Sequence, residues 1–266
     1  MDYAKIKVVD DGPVTIVTLA DPATMNAASV EMAAELLETF RRVGAAGGAT
    51  RAVLLTGEGR GFCSGANLSG GGATQRLDVD GKPDAGAALE TVYNPLVTAI
   101  RELPVPLVVA VNGAAAGVGC SLAMLGDLIV AAESAYFLQA FRRIGLIPDG
   151  GSTYMLPRII GKARAMEMAL LGERLPAAKA LEWGLINRCV PDAELMPTAL
   201  ALAGELARGP ASLGLTRQTI WAGLESDWLA QLHRERLGQR VAGKTDDFVE
   251  GVSAFLQKRP AAFKGK

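Results

Sequence analysis

The sequence predicts an α/β protein of alternating strands and helices, followed by a helical C-terminal region. Three observations carry this. Apolar, β-branched runs at Val14–Leu19, Arg51–Thr56, Leu107–Val111 and Leu128–Ala131 are bounded by turn residues. Segments of helical spacing separate them, at steps of roughly 30–50 residues, the pattern of βαβ units. From about Pro191 the chain becomes Leu/Ala-rich and helical, with Arg and Glu on the polar positions. The boundary is expected near residue 195, with a core over 1–195 and a helical region over 196–266.

Each element follows from local chemistry. Asp10-Asp-Gly-Pro13 is a turn, so Lys5–Leu19 reads as a hairpin. Ser29 is placed to cap a helix that runs to about Val43, with Glu31 in its first turn. Arg51–Thr56 is a buried strand, followed by a glycine-rich stretch, Gly57 to Gly72, and a polar surface segment to about Asp84. Leu89, Val92, Leu96, Ile100 and Leu103 recur at helical spacing, and Pro95 predicts a break inside that helix. Leu107–Val111 and Leu128–Ala131 are buried strands, with a helix between them from Gly117 to Gly126.

Composition narrows the function. The 266 residues are 50% hydrophobic, enough for a substantial core without disulfides or metals. Net charge is −1, so no basic field draws in nucleic acid or an anionic membrane. The apolar stretch Leu103–Ala132 is broken by Pro104, Pro106, Asn112, glycines and Asp127, which argues against a membrane span. Cys63, Cys120 and Cys189 are odd in number and far apart, unlike a disulfide framework or a zinc site. The N-terminus has no signal-peptide core, and a reduced, cytoplasmic protein is expected.

Two glycine-rich turns could carry chemistry. Gly59-Arg-Gly-Phe-Cys-Ser-Gly-Ala-Asn-Leu68 follows one strand, and Asn112-Gly-Ala-Ala-Ala-Gly-Val-Gly-Cys-Ser121 lies between a strand and a helix. Glycine lets backbone N–H groups approach a ligand closely. Two such turns facing each other, one at the positive end of a helix, would hold an oxyanion. Spacing alone fits connecting turns equally well. Gly117-Val-Gly119 lacks the full dinucleotide-binding spacing. Asp149, in Ile147-Pro-Asp-Gly150, reads either as an ordinary turn aspartate or as a carboxylate raised in pKa by apolar walls. His233, the single histidine, sits among charged residues and reads as a surface residue.

At these residues the chain resembles the crotonase, or enoyl-CoA hydratase/isomerase, superfamily. Ala110-Val-Asn-Gly-Ala-Ala-Ala-Gly-Val-Gly119, with Leu122, Ala123 and Asp127, matches its signature. Gly61-Phe-Cys-Ser-Gly-Ala-Asn-Leu68 resembles its first oxyanion loop, and Lys179–Val190 and Phe248–Pro260 resemble later segments in the right order. The resemblance implies a spiral of ββα units with a C-terminal trimerisation or lid region. It also implies an acyl-CoA substrate, no cofactor beyond coenzyme A and no metal, and a homotrimer or a dimer of trimers. By position, the N–H groups of Ala66 and Val118 would form the oxyanion hole, with Gly117 beside them. Ser64, Ala66, Asn67, Leu68 and Ser69 would follow the thioester arm. Met25, Asn26 and Ala27 would lie near the adenine, and Phe263 and Lys264 would reach a CoA of an adjacent subunit.

The departures are as informative. Hydratases of the family carry two glutamates, and here Ser121 and Phe141 stand at those positions. Water addition then lacks its base and its proton donor. The branch of ring 1,2-epoxyphenylacetyl-CoA isomerases of phenylacetate catabolism fits better, through Tyr93-Asn-Pro-Leu96, Gly145-Leu-Ile-Pro-Asp-Gly150 and Leu156-Pro-Arg158. There the aspartate of the Ile-Pro-Asp turn, Asp149 here, carries the proton. The expected activity is an acyl-CoA isomerase acting on that epoxide or on 3-enoyl-CoA of fatty acid metabolism. The alternatives are another crotonase-type enzyme, such as a hydratase, and a non-catalytic acyl-CoA-binding partner.

Overall fold

A computed structural model describes residues 3–45, 48–68 and 76–266. The hairpin forms as expected: β1 (Ile6–Asp11) pairs antiparallel with β2 (Val14–Leu19). Ser29 caps α1 (Val30–Gly44), its hydroxyl accepting from the Met32 N–H at 3.1 Å. β3 (Ala52–Gly57) follows, then β4 (Gly61–Cys63). The break expected at Pro95 is absent: the backbone stays right-handed helical through Tyr93 and Asn94, and the irregularity is a π turn just before the proline. A wide turn at Leu89–Tyr93 ends where α2 (Asn94–Arg101) begins, with Pro95 in its first turn, where no N–H is needed.

The next two modules repeat one plan. β5 (Leu107–Val111) and β6 (Ala114–Ala116) lead into α3 (Val118–Met124). β7 (Leu128–Ala132) and β8 (Tyr136–Leu138) lead into α4 (Ser152–Ile159). After α5 (Lys162–Leu171) come β9 (Leu175–Pro176), α6 (Ala177–Glu182) and β10 (Arg188–Val190). The long strands form a six-stranded sheet in the order β1-β2-β3-β5-β7-β10, parallel beyond the hairpin. The short strands form a second sheet, β4-β6-β8-β9. Each module therefore lays one strand in each sheet before its helix, which is the ββα spiral. β3 and β5 are buried along almost their whole length, as parallel strands covered on both faces must be.

The C-terminal helices are α7 (Leu195–Ala207), α8 (Ser212–Gly223), α9 (Trp228–Ala242) and α10 (Asp246–Gln257). Residue 195 marks the start of α7, yet Ala199 and Ala203 of α7 are fully buried in the main core. The chain turns outward only from α8. Arg217 of α8 anchors that departure. It is buried, bonds Asp127 at 2.6 Å, and donates to the carbonyls of Ile100, Arg101 and Leu103. The tail is held by Asp247, which accepts from the N–H groups of Ala211, Lys264 and Gly265. α9 and α10 leave Trp228, Leu229, Phe255 and Leu256 at least 73% exposed, an apolar surface.

Candidate active site

The two glycine turns lie against each other. β4 ends at Cys63, and the loop beyond it runs beside Met25–Ala28. Ser64 N–H donates to Met25 O, Ala28 N–H to Gly65 O, and Asn67 N–H to Ala28 O. This is a short parallel ladder, in which the Gly65 carbonyl and the Asn67 N–H face Ala28 while Ala66 between them faces the other way. The Ala66 N–H therefore points away from Ala28 and has no acceptor among the described residues. Val118 is the first residue of α3, so its N–H also has no intrahelical acceptor. The turns touch at Gly65 and Gly117, where a side-chain carbon built on Gly117 would stand 3.7 Å from Gly65 Cα. Gly117 has φ +53° and ψ −127°, a conformation that excludes a side chain. Two undonated N–H groups thus sit on abutting loops.

Asp149 lies beside this pair. Its carbonyl accepts from Ser121 Oγ at 2.9 Å and from the Ser152 N–H at 3.0 Å. A side-chain carbon on Gly150 would stand 3.4 Å from a Val118 methyl group, which puts the Asp149-Gly150 turn against the first turn of α3. The carboxyl is half-buried, and Oδ1 is buried with no hydrogen-bond partner. Burial alone pushes its pKa up to about 6, and no cation opposes it. Tyr93 closes the other side. Its hydroxyl donates to Ala28 O at 2.6 Å, and burial, then the charges of Cys63 and Asp149, push its pKa up to about 12.

Other predicted residues fall in two places. Met25 and Ala27 flank Asn26 on the strip beside the first loop. Asn26 is fully buried: its Oδ1 accepts from the Asp21 N–H, and its Nδ2 donates to Glu58 O and Gly61 O. Those bonds hold Asn26 at φ +56°, so its side chain shapes the strip rather than facing outward. Ser64 Oγ likewise donates to Thr24 O. Leu68 is exposed, and Ser69 lies outside the described residues. Phe263 and Lys264 sit elsewhere, tied to Gly251, Arg51 and Asp247. No hydrogen bond joins them to the glycine loops among the described residues.

The positions held by Ser121 and Phe141 are filled. Phe141 is buried, with its ring 3.8 Å from the site of a Gly117 side-chain carbon. Ser121 is fully buried and bonded to Ser152. Sequence reasoning missed Ser152 and Gln139 as supports of Asp149, because only folding brings Ser121 of α3 and Gln139, just after β8, to Ser152 at the start of α4. Cys63 and Cys120 are buried, as expected, and their thiols are pushed up to about 11 and about 12 by burial. His233 is exposed. No helix of the described residues is long and apolar enough to cross a membrane.

Comparison with known proteins defines the class. The family model for enoyl-CoA hydratase/isomerase matches residues 10–266, and the chain belongs to that family of crotonase-fold enzymes acting on CoA thioesters. Among its relatives is the 1,2-epoxyphenylacetyl-CoA isomerase of Escherichia coli (strain K12), 46% identical over 97% of both chains. A probable enoyl-CoA hydratase of Rhodobacter capsulatus is 44% identical over the whole of both. The crystal structure of a putative enoyl-CoA hydratase from Streptomyces coelicolor A3(2) superposes with a TM-score of 0.92 at 32% identity, over 100% of this chain and 96% of that one.

Proposed function

We propose that the chain is an acyl-CoA isomerase in which Asp149 carries a proton between carbons of the acyl group. The observation that carries this reading is a half-buried, donor-free carboxyl beside two undonated N–H groups. The thioester oxygen accepts from Ala66 and Val118 N–H, which acidifies the α-carbon. The Asp149 carboxylate takes the α-proton, giving a dienolate from a 3-enoyl-CoA, and returns it at the γ-carbon as the 2,3 double bond forms. Atoms and electrons balance without water. In a ring 1,2-epoxyphenylacetyl-CoA the same enolate assists opening and expansion of the ring. The likeness to an isomerase of that name supports this substrate.

In this reading the thioester arm follows Ala66–Leu68, with the adenine near Met25–Ala27. The hydratase reading draws on the names of several relatives, but Ser121 and Phe141 offer no carboxyl to position water. A turnover assay on the epoxide, a 3-enoyl-CoA and crotonyl-CoA separates the two. Isomerisation of either of the first two, with hydration of the third far slower, is the expected result. Hydration at a comparable rate overturns the proposal, and acyl-CoA binding without turnover would favour a non-catalytic partner.

Two further outcomes are expected. The base form of Asp149 is the active one, and its pKa is about 6. kcat/KM should therefore be flat above that value and fall about tenfold per pH unit below it. An ordinary aspartate would hold the rate down to about pH 4, so a limb there removes the buried base. The exposed apolar surface of α9 and α10 supports the proposal that the chain assembles as a trimer or a dimer of trimers. Sedimentation at micromolar concentration should then give a mass three or six times 27.7 kDa, and a monomer refutes it.

A further inference from the structure

Among the described residues, nothing donates to the buried Oδ1 of Asp149. A carboxylate that must accept and release a proton gains from this, because a donor would stabilise its charge and weaken it as a base. It also means that Oδ1 has no hydrogen bond to fix its direction. Orientation has to come from the main chain, and the Asp149 carbonyl accepts two hydrogen bonds.

The hold is a directed chain of buried hydrogen bonds. Ser121 Oγ lies 2.9 Å from Asp149 O, and 2.6 Å from Ser152 Oγ. Gln139 Nε2 lies 3.3 Å from Ser152 Oγ. Ser121, Ser152 and Gln139 are all fully buried. A carbonyl can only accept, and of the two carbonyls near Ser121 Oγ, Asp149 O at 2.9 Å and Gly117 O at 3.4 Å, the nearer takes its single proton. The Ser152 proton must then go to Ser121, and Ser152 accepts from the Gln139 amide. One arrangement satisfies every link, and it ends on the peptide of Asp149. The Gly150 turn closes on the same point, since a side-chain carbon there would stand 2.9 Å from Ser121 Cβ.

We infer that Ser121 is a positioning residue, and that the Gln139–Ser152–Ser121 chain aims the Asp149 carboxyl by fixing its peptide. The inference rests on Asp149 being the proton carrier. Misplacing a reacting group by about 1 Å costs on the order of 10²-fold in rate.

The test is steady-state kinetics on a 3-enoyl-CoA for wild type, Ser121→Ala, Ser152→Ala, the double variant, Ser121→Cys and Asp149→Asn, with a melting curve for each. Ser121→Ala should lower kcat by about 10–100-fold, with KM within threefold. The acid limb of its pH profile should move to lower pH, as the released carboxyl reaches water. Ser121→Cys, a weak donor of similar size, should recover part of the rate. The double variant should be no slower than Ser121→Ala, because both remove one chain. A folded Ser121→Ala with kcat within twofold of wild type overturns the inference. So does a fall in kcat with an unchanged pH limb and no recovery in Ser121→Cys, which marks a purely structural role. If Ser121→Ala does not fold, Ser152→Ala is judged by the same kcat, KM and pH criteria. Full activity in Asp149→Asn is a separate result that removes the base assignment itself.

Discussion

Asp149→Asn is expected to lower kcat by about 10²–10⁴-fold, the range that a positioned general base contributes. Among the described residues, no other group near the two N–H groups can take its place. Ser121 and Ser152 spend their protons on Asp149 O and on each other. Tyr93 is raised to about 12, and its proton is committed to Ala28 O. Cys63 is raised to about 11 and is fully buried. Asn keeps the shape of Asp, so substrate binding should change little.

Stability should move the opposite way. A carboxyl whose folded pKa is raised favours the protonated fold, so its stabilising contribution is complete below the unfolded pKa near 3.9 and is lost as pH rises through about 6. At pH 7 the wild type holds a half-buried charge without a partner, and the neutral amide removes that cost. Asp149→Asn should therefore melt at or above the wild-type temperature at pH 7, and this gain should vanish near pH 4. A stable but inactive variant separates lost chemistry from lost structure. Exchange of the substrate α-hydrogen in deuterated water, followed by proton NMR, reads the chemical step directly. Exchange in Asp149→Asn within tenfold of wild type would assign the proton to another group.

Much of this was legible in the sequence, for physical reasons. The long strands are continuous β-branched runs buried on both faces, and Ser29 caps α1 where its side chain demands. The second sheet was not visible locally, because β4, β6 and β8 are three residues each, and β4 and β6 read as parts of glycine turns. Only the family resemblance implied them. The site divides in the same way. Gly65, Gly117 and Asp149 stand in motifs. The supports of Asp149 do not, since Gln139 and Ser152 are ordinary polar residues until α3 and α4 pack together. Asn26 shows the converse. Its side chain is part of the scaffold, a role that depends on acceptors 32 and 35 residues away.

Gly119→Ala should damage both oxyanion donors at once. Gly119 is the second residue of α3, and a methyl group there would stand 2.3 Å from Cys63 O and 2.7 Å from Cys63 Cβ. Both are too close for any contact, and the first is backbone, which cannot rotate away. Either α3 or β4 must shift. α3 begins at Val118, one residue before the new methyl group, and β4 delivers Ala66 three residues after Cys63. Any relief of the clash therefore separates the two N–H groups. Losing one such donor costs about 10²–10³ in rate, so a comparable fall in kcat is expected on any thioester that the enzyme turns over. Overpacking adds about 1–3 kcal/mol of destabilisation, or a melting temperature lower by about 2–4 °C for each kcal/mol in a chain of this size. Gly44→Ala is the control. Its methyl group would meet Pro104 at an ordinary 3.6 Å at the end of a helix, and its activity should match wild type. The comparison isolates donor geometry from the general effect of adding a carbon. A folded Gly119→Ala with kcat within threefold of wild type would mean that the N–H groups of Ala66 and Val118 do not hold the substrate oxygen.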